Sequence, residues 1–282
     1  MDGVQACAAL IAPMLVQAKA RGRMAVLGIA GAQGSGKSTL ARALKQRMDE
    51  AGVASALLSI DDLYLSHAAR AALAQTVHPL LRTRGVPGTH DVALGLDLIA
   101  ALERGDAVPL PRFDKGADDR LPADQWDRAP AGTRLLLLEG WCVGARPQPE
   151  EALAAPVNAL ERQEDADGRW RRFVNAALAG SYQALFARID RIAFLAAPDF
   201  DVVARWRGDQ EAPLRAAGRG MDEAALARFI QHYERITRHM LADMPARADM
   251  LIQLDAERQV VAVRERGATS PVPPHDRDRP AR

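Results

Sequence analysis

Two cysteines in 282 residues, Cys7 and Cys142, supply neither a disulfide framework nor metal-ligand spacing, and read as two reduced thiols. Charge of one sign is also lacking. Basic residues number 37 against 36 acidic ones, a net charge of +1, which gives no electrostatic reason to expect nucleic acid or an anionic membrane as partner. The N-terminus lacks the basic run of a secretory signal: it opens with Asp2, and Gln17 and Lys19 break its apolar stretch. The sequence predicts no apolar run long enough to span a bilayer, so a cytoplasmic protein is the expectation. No internal repeat is present, and no N-K-x-D segment that would read guanine.

What is present is an alternation of short apolar runs with helical periodicity. Runs at Met24 to Ala30, Ala54 to Ile60, Leu135 to Leu138, Ile192 to Ala196 and Met250 to Leu254 read as five buried strands. Val4, Ala8, Ile11 and Leu15 mark an opening helix, and Leu40, Leu44 and Met48 a second over Ser38 to Met48. Fully apolar strands interleaved with helices predict an α/β fold, a parallel sheet flanked by helices on both faces. We expect a single domain over 1–266. It carries an insertion over about 66–134 with a helix from Val92 to Leu102, a helical lid over about 199–217, and a helix from Glu223 to Leu241. The proline- and charge-rich tail 267–282 is expected to be disordered.

The strongest chemical signal is Gly31-Ala32-Gln33-Gly34-Ser35-Gly36-Lys37-Ser38, which fits G-x-x-x-x-G-K-[ST] at every fixed position. Glycines let backbone wrap phosphate oxygens, and the N–H groups of the loop and the next helix face the anion. Lys37 supplies a charge for the β and γ phosphates, Ser38 a hydroxyl for Mg²⁺, and Thr39 a contact to the α phosphate. ATP and Mg²⁺ are the implied cofactors. Because the motif follows a predicted strand and opens a predicted helix, a chance match is improbable.

Ligands in open parallel sheets sit beyond the carboxyl ends of the strands. The residues there after strands two and three are Asp61, Asp62 and Glu139. Acids beside triphosphate need a metal or a proton to meet. We assign Glu139 to the metal, together with Ser38, and Asp61 to the proton of an attacking hydroxyl. Asp62 is the better candidate for capping the next helix.

These residues, with Ser59-Ile60-Asp61-Asp62-Leu63-Tyr64, Arg84-Gly85-Val86-Pro87-Gly88-Thr89-His90-Asp91, Pro111-Arg112-Phe113-Asp114-Lys115, Leu138-Glu139-Gly140-Trp141-Cys142, Asn158 to Trp170 and Trp206-Arg207 with Gln210-Glu211, resemble a known pattern. The chain is similar to P-loop kinases of the phosphoribulokinase, uridine kinase and pantothenate kinase group. Within that group it resembles the D-glycerate 3-kinase family of plant and fungal type with its bacterial relatives. The resemblance spans about Met24 to Leu254. It implies transfer of the ATP γ-phosphate to the 3-hydroxyl of D-glycerate. It also implies that Asp61 activates that hydroxyl and that Arg205 and Arg207 close over the phosphates as lid arginines. Leu63 departs from the aromatic residue that relatives often carry, and Phe113 from tyrosine.

A glycerate pocket needs a cation for the carboxylate. Arg84, His90, Lys115 and Arg120 in the insertion are the candidates, with Tyr64 beside Asp61. His90 alternatively holds its own loop. Trp141, Trp170 and Trp206 read as core or interface aromatics. Asn158, Glu161 and Asp165 fall in a segment that reads as loop near the crevice. Another small acceptor (a nucleoside, pantothenate or another sugar acid) stays open on these residues, as does a regulator that binds ATP without catalysis. Asp61 speaks against the regulator, since a switch needs no hydroxyl-activating base.

Overall fold

A computed structural model describes residues 3–216 and 220–267 of the chain. Most of the expected tail, 268–282, lies outside the described residues. Among the described residues the central sheet has six strands: β1 (Ala25–Gly31), β2 (Ser55–Ser59), β3 (Leu135–Gly140), β4 (Arg191–Ala196), β5 (Met250–Leu254) and β6 (Val260–Glu265). Their order across the sheet is β6-β5-β4-β1-β3-β2. The first five are parallel, as their apolar runs predict. The sixth is a correction: β6 adds an antiparallel edge, joined to β5 by a tight turn in which Asp255 N donates to Gln259 O. Its apolar run, Val260 to Val263, is short and lies exposed at the sheet edge, and it follows β5 too closely to read as a further buried strand.

Alternation along the strands feeds two cores. Leu27, Ile29, Leu135 and Leu137 face one side with the helices α1 (Gly3–Ala20) and α2 (Lys37–Glu50). Val26, Leu58, Leu136 and Leu138 face the other, against α4 (Val92–Glu103), α6 (Arg169–Ala179), α7 (Ser181–Phe186) and α9 (Glu223–Arg247). α8 (Phe200–Ala216) spans the expected lid region and places Phe200, Val203 and Trp206 in the first core.

By composition α1 is long and apolar enough to cross a membrane, with a mean hydropathy of 1.3, which corrects the expectation that no stretch qualifies. Its buried face, Ala6, Cys7, Leu10, Ile11 and Met14, is part of the core over β1 and β5, the placement of a packed helix.

The insertion holds α3 (His67–Thr76), α4 and two short antiparallel pairings, Pro109–Leu110 with Asp127–Arg128 and Phe113–Asp114 with Asp119–Arg120. The latter makes a hairpin over the carboxyl end of β2. The stretch from Asn158 is helical and not loop: α5 (Ala159–Glu164) and then α6 occupy it. Asn158 caps α5, Glu161 pairs with the buried Arg235 of α9 at 2.7 Å, and Asp165 accepts from Trp170 N and Arg171 at the start of α6. Those three residues are spent on structure.

Candidate active site

Register brings the acids together. Glu139 pairs laterally with Ile29 of β1 and with Ser59 of β2. Ile29 lies two residues before Gly31, and Ser59 two before Asp61. The cradle and both acids therefore meet at one end of the sheet because three parallel strands stop in step. Beyond Ser59 the chain turns as a 3₁₀ helix, Ile60–Leu63, with the Ser59 hydroxyl accepting Asp61 N. That turn ends the expected strand one residue early and swings Asp61 over the crevice.

The cradle runs from Gly31 through Ala32, Gln33, Gly34, Ser35 and Gly36 into Lys37, Ser38 and Thr39 at the start of α2. Gly34 has φ +80°, and a Cβ placed on it would lie 2.6 Å from Trp206 Cβ. No side chain fits, because the first half of α8 rests directly on the loop. Ser38 Oγ donates to Glu139 Oε1 at 2.9 Å. The other carboxylate oxygen of Glu139 is buried with no partner among the described residues. A hydroxyl and a carboxylate with an unused buried oxygen are hard donors of the kind Mg²⁺ takes, so these two residues fit the ion.

Asp61 is held at both oxygens. Tyr64 Oη donates to Oδ1 at 2.9 Å and Lys115 Nζ to Oδ2 at 2.7 Å. Burial pushes the carboxyl up, but the Lys115 and Lys37 ammonium groups outweigh it and hold Asp61 well below the ordinary carboxylate range. Asp61 raises Lys115 in turn, although that side chain is 62% exposed and water screens much of the pairing. Burial and Asp61 keep Tyr64 protonated and hence a donor.

Asp62 does not cap the next helix; Ser66 does, accepting Ala69 N. Asp62 instead takes Phe113 N at 3.0 Å and Arg112 at 2.9 Å, pinning the hairpin that carries Lys115. The Arg84 to Asp91 loop is pinned on the other flank. Tyr233 Oη donates to Arg84 O, Trp141 Nε1 to Gly85 O, and Asp91 N to Leu63 O. Gly85 has φ +136°, and a Cβ there would lie 2.0 Å from Tyr233 Oη. His90 lands flat against Tyr64, ring centroids 4.5 Å apart.

The four candidate cations divide. Lys115 reaches Asp61. Arg84 pairs with Asp118, donates to Lys115 O and lies over the Phe113 ring. Arg120 is turned to Tyr64 O and Asp91. His90 is 5% exposed, and burial, partly offset by Asp61, pushes it down to about 4, so at neutral pH it carries no charge. The sequence reading missed Arg70, fully buried, which donates to Leu65 O and Arg82 O and shares Asp118 with Arg84. Two guanidiniums on one carboxylate leave a surplus positive charge beside Lys115.

The two lid arginines also divide. Arg207 turns inward, over the Phe229 ring and 2.7 Å from Glu211. Arg205 turns away to Ala256 O in the β5–β6 turn and is not brought to the cradle. Trp206 is buried between that turn and Gly34, with its indole N–H on Ala256 O. Trp141 and Trp170 are buried as well.

A phosphate cradle opening a helix, with acids from the two neighbouring strands at its mouth, defines a P-loop kinase. The comparisons agree. A kinase of Schizosaccharomyces pombe, "Uncharacterized kinase mug58", is 37% identical over 227 residues, covering 77% of this chain and 81% of its own length. "D-glycerate 3-kinase, chloroplastic" of Arabidopsis thaliana is 29% identical over 255 residues, covering 84% of this chain. The alignment spans about half, 54%, of that relative's length. The solved structure of D-glycerate 3-kinase from Cryptococcus neoformans var. grubii has the same fold, with TM-score 0.78 at 24% identity over 93% of this chain and 98% of that one. A family profile described as "Methylmalonyl Co-A mutase-associated GTPase MeaB" matches residues 5–67, which include the cradle and Asp61. This chain belongs to the kinase family that contains D-glycerate 3-kinase.

Proposed function

We propose that the protein transfers the ATP γ-phosphate to the 3-hydroxyl of D-glycerate, giving 3-phospho-D-glycerate and ADP. The observation that carries the reading is the pairing of Asp61 with an exposed ammonium, Lys115, at the same end of the sheet as the Ser38–Glu139 pair. A hydroxy acid offers the two groups this arrangement can sort: a hydroxyl for Asp61 and a carboxylate for Lys115, backed by the surplus charge of Arg70 and Arg84 on Asp118.

These placements support one course of reaction. The backbone of Gly31 to Thr39 and Lys37 hold the triphosphate, and Arg207 sits on the helix that covers it. Mg²⁺, held through Ser38 and Glu139, would offset charge on the β and γ phosphates. Glycerate's carboxylate draws Lys115 from Asp61 Oδ2, and that oxygen then accepts the hydrogen bond of the 3-hydroxyl. The hydroxyl oxygen attacks the γ-phosphorus as the bond to the ADP oxygen breaks, and its proton passes to Asp61. Losing Lys115 raises the basicity of Asp61 at the moment a base is needed.

A coupled ADP-release assay over a panel of hydroxy acids and nucleosides tests the reading. ADP release that requires D-glycerate is expected. Release that ignores glycerate and follows a nucleoside or pantothenate would replace this acceptor with another.

A further inference from the structure

Tyr182, on α7 and outside every motif singled out in the sequence, makes contact with His90 through its hydroxyl. Tyr182 Oη lies 2.5 Å from His90 Nδ1 and accepts Gly88 N at 3.0 Å. His90 Nε2 is buried with no partner among the described residues. Hydrogen accounting then fixes the tautomer. If Nδ1 carried the proton, it would donate to Tyr182, leaving the phenol hydrogen without an acceptor and Nε2 as a second orphan. If Tyr182 donates to Nδ1, the phenol is satisfied at both ends and only an Nε2–H remains. Burial keeps Tyr182 protonated, so this donor persists. The ring stacks on Tyr64, whose hydroxyl holds Asp61, so the imidazole that carries the unused N–H belongs to the acceptor end of the site.

We propose that His90 acts as a neutral hydrogen-bond donor, through Nε2–H, to an oxygen of the acceptor next to the phosphorylated hydroxyl, and that Tyr182 is the positioning residue that sets this tautomer. The proposal rests on the reading of the site as one for a small hydroxylated acceptor. It makes His90 a reader of an uncharged oxygen, leaving the carboxylate to Lys115. A buried N–H without a partner is costly, and an acceptor oxygen removes that cost on binding, whereas an acceptor lacking that oxygen leaves it in place.

Two measurements test it. In the ligand-free protein, the histidine ¹⁵N and ¹³C shifts of His90 report its tautomer whichever acceptor is phosphorylated. We expect the Nε2–H form in the wild type and a mixture in Tyr182→Phe. A wild-type Nδ1–H form, or a Tyr182→Phe spectrum that matches the wild type, overturns the positioning role. The second is steady-state kinetics with the acceptor that the ADP-release panel identifies. Gln places a donor where Nε2–H stands, and Asn places its amide where Nδ1 stands. His90→Gln should keep acceptor KM within about threefold, and His90→Asn should raise it about tenfold, one hydrogen bond, with ATP KM unmoved. Tyr182→Phe should raise acceptor KM more than it lowers kcat. Equal KM values for the Gln and Asn variants overturn the donor role. If no hydroxy acid is phosphorylated, the glycerate reading fails while the tautomer result still stands or falls by itself.

Discussion

Replacing Lys115 with methionine keeps an unbranched apolar stem of four atoms and deletes the ammonium. The ammonium lies 2.7 Å from Asp61 and is the larger of the two charges holding that carboxyl low. An opposite charge at such range moves a carboxyl pKa by about 1–3 pH units, and the 62% exposure of Lys115 argues for the lower end. The sign follows directly. Without the cation the ionised form is less favoured and Asp61 titrates higher, by about one pH unit. The same cation is assigned to the acceptor carboxylate, where a charge-assisted hydrogen bond contributes about 1.5–3 kcal/mol. Screening again favours the low end, so acceptor KM should rise about tenfold while ATP KM holds. The assays are an Asp61 titration followed by its carboxyl ¹³C shift and the KM for D-glycerate at neutral pH, at low and high salt, for both proteins. An unmoved Asp61 titration together with an unchanged glycerate KM would refute the role given to Lys115.

Asp61→Asn should leave ATP binding nearly intact and cut turnover by about 10²-fold or more, measured by nucleotide titration beside single-turnover transfer. Gly34→Ala places a Cβ at φ +80° and 2.6 Å from Trp206, so we expect a loss of about 1–3 kcal/mol or more and weaker ATP binding; thermal unfolding and nucleotide titration check both. His90 and His232 are buried, and burial lowers each to about 4. A histidine whose folded value lies below its unfolded 6.5 contributes full stability above pH 6.5 and loses it as pH falls toward 4. The loss comes to about 3 kcal/mol for each. Urea midpoints should therefore fall across that window, and fall less in the His90→Gln, His232→Gln double variant.

The parallel strands were legible because each is an uninterrupted apolar run buried on both faces, and the cradle because its chemistry tolerates few residue types. Asp61 and Glu139 were legible from position alone, since strand ends in a parallel sheet converge. What escaped the sequence was long-range polar pairing. Arg70, Tyr182 and Asp62 meet partners far along the chain, and no spacing encodes that. Position likewise did not separate Arg205 from Arg207: they stand two apart on one helix, and α8 turns one to the β5–β6 turn and the other inward. The charge of His90 was misjudged for the same reason, as burial decides it and burial depends on the whole fold.

The most direct test of the central claim is to follow ATP and D-glycerate by ³¹P NMR with the purified protein and Mg²⁺. The account predicts ADP and 3-phospho-D-glycerate in equal amounts, with neither formed at a comparable rate by Asp61→Asn. Phosphate appearing on the 2-hydroxyl, or ADP appearing with free phosphate and no phosphoglycerate, would contradict it.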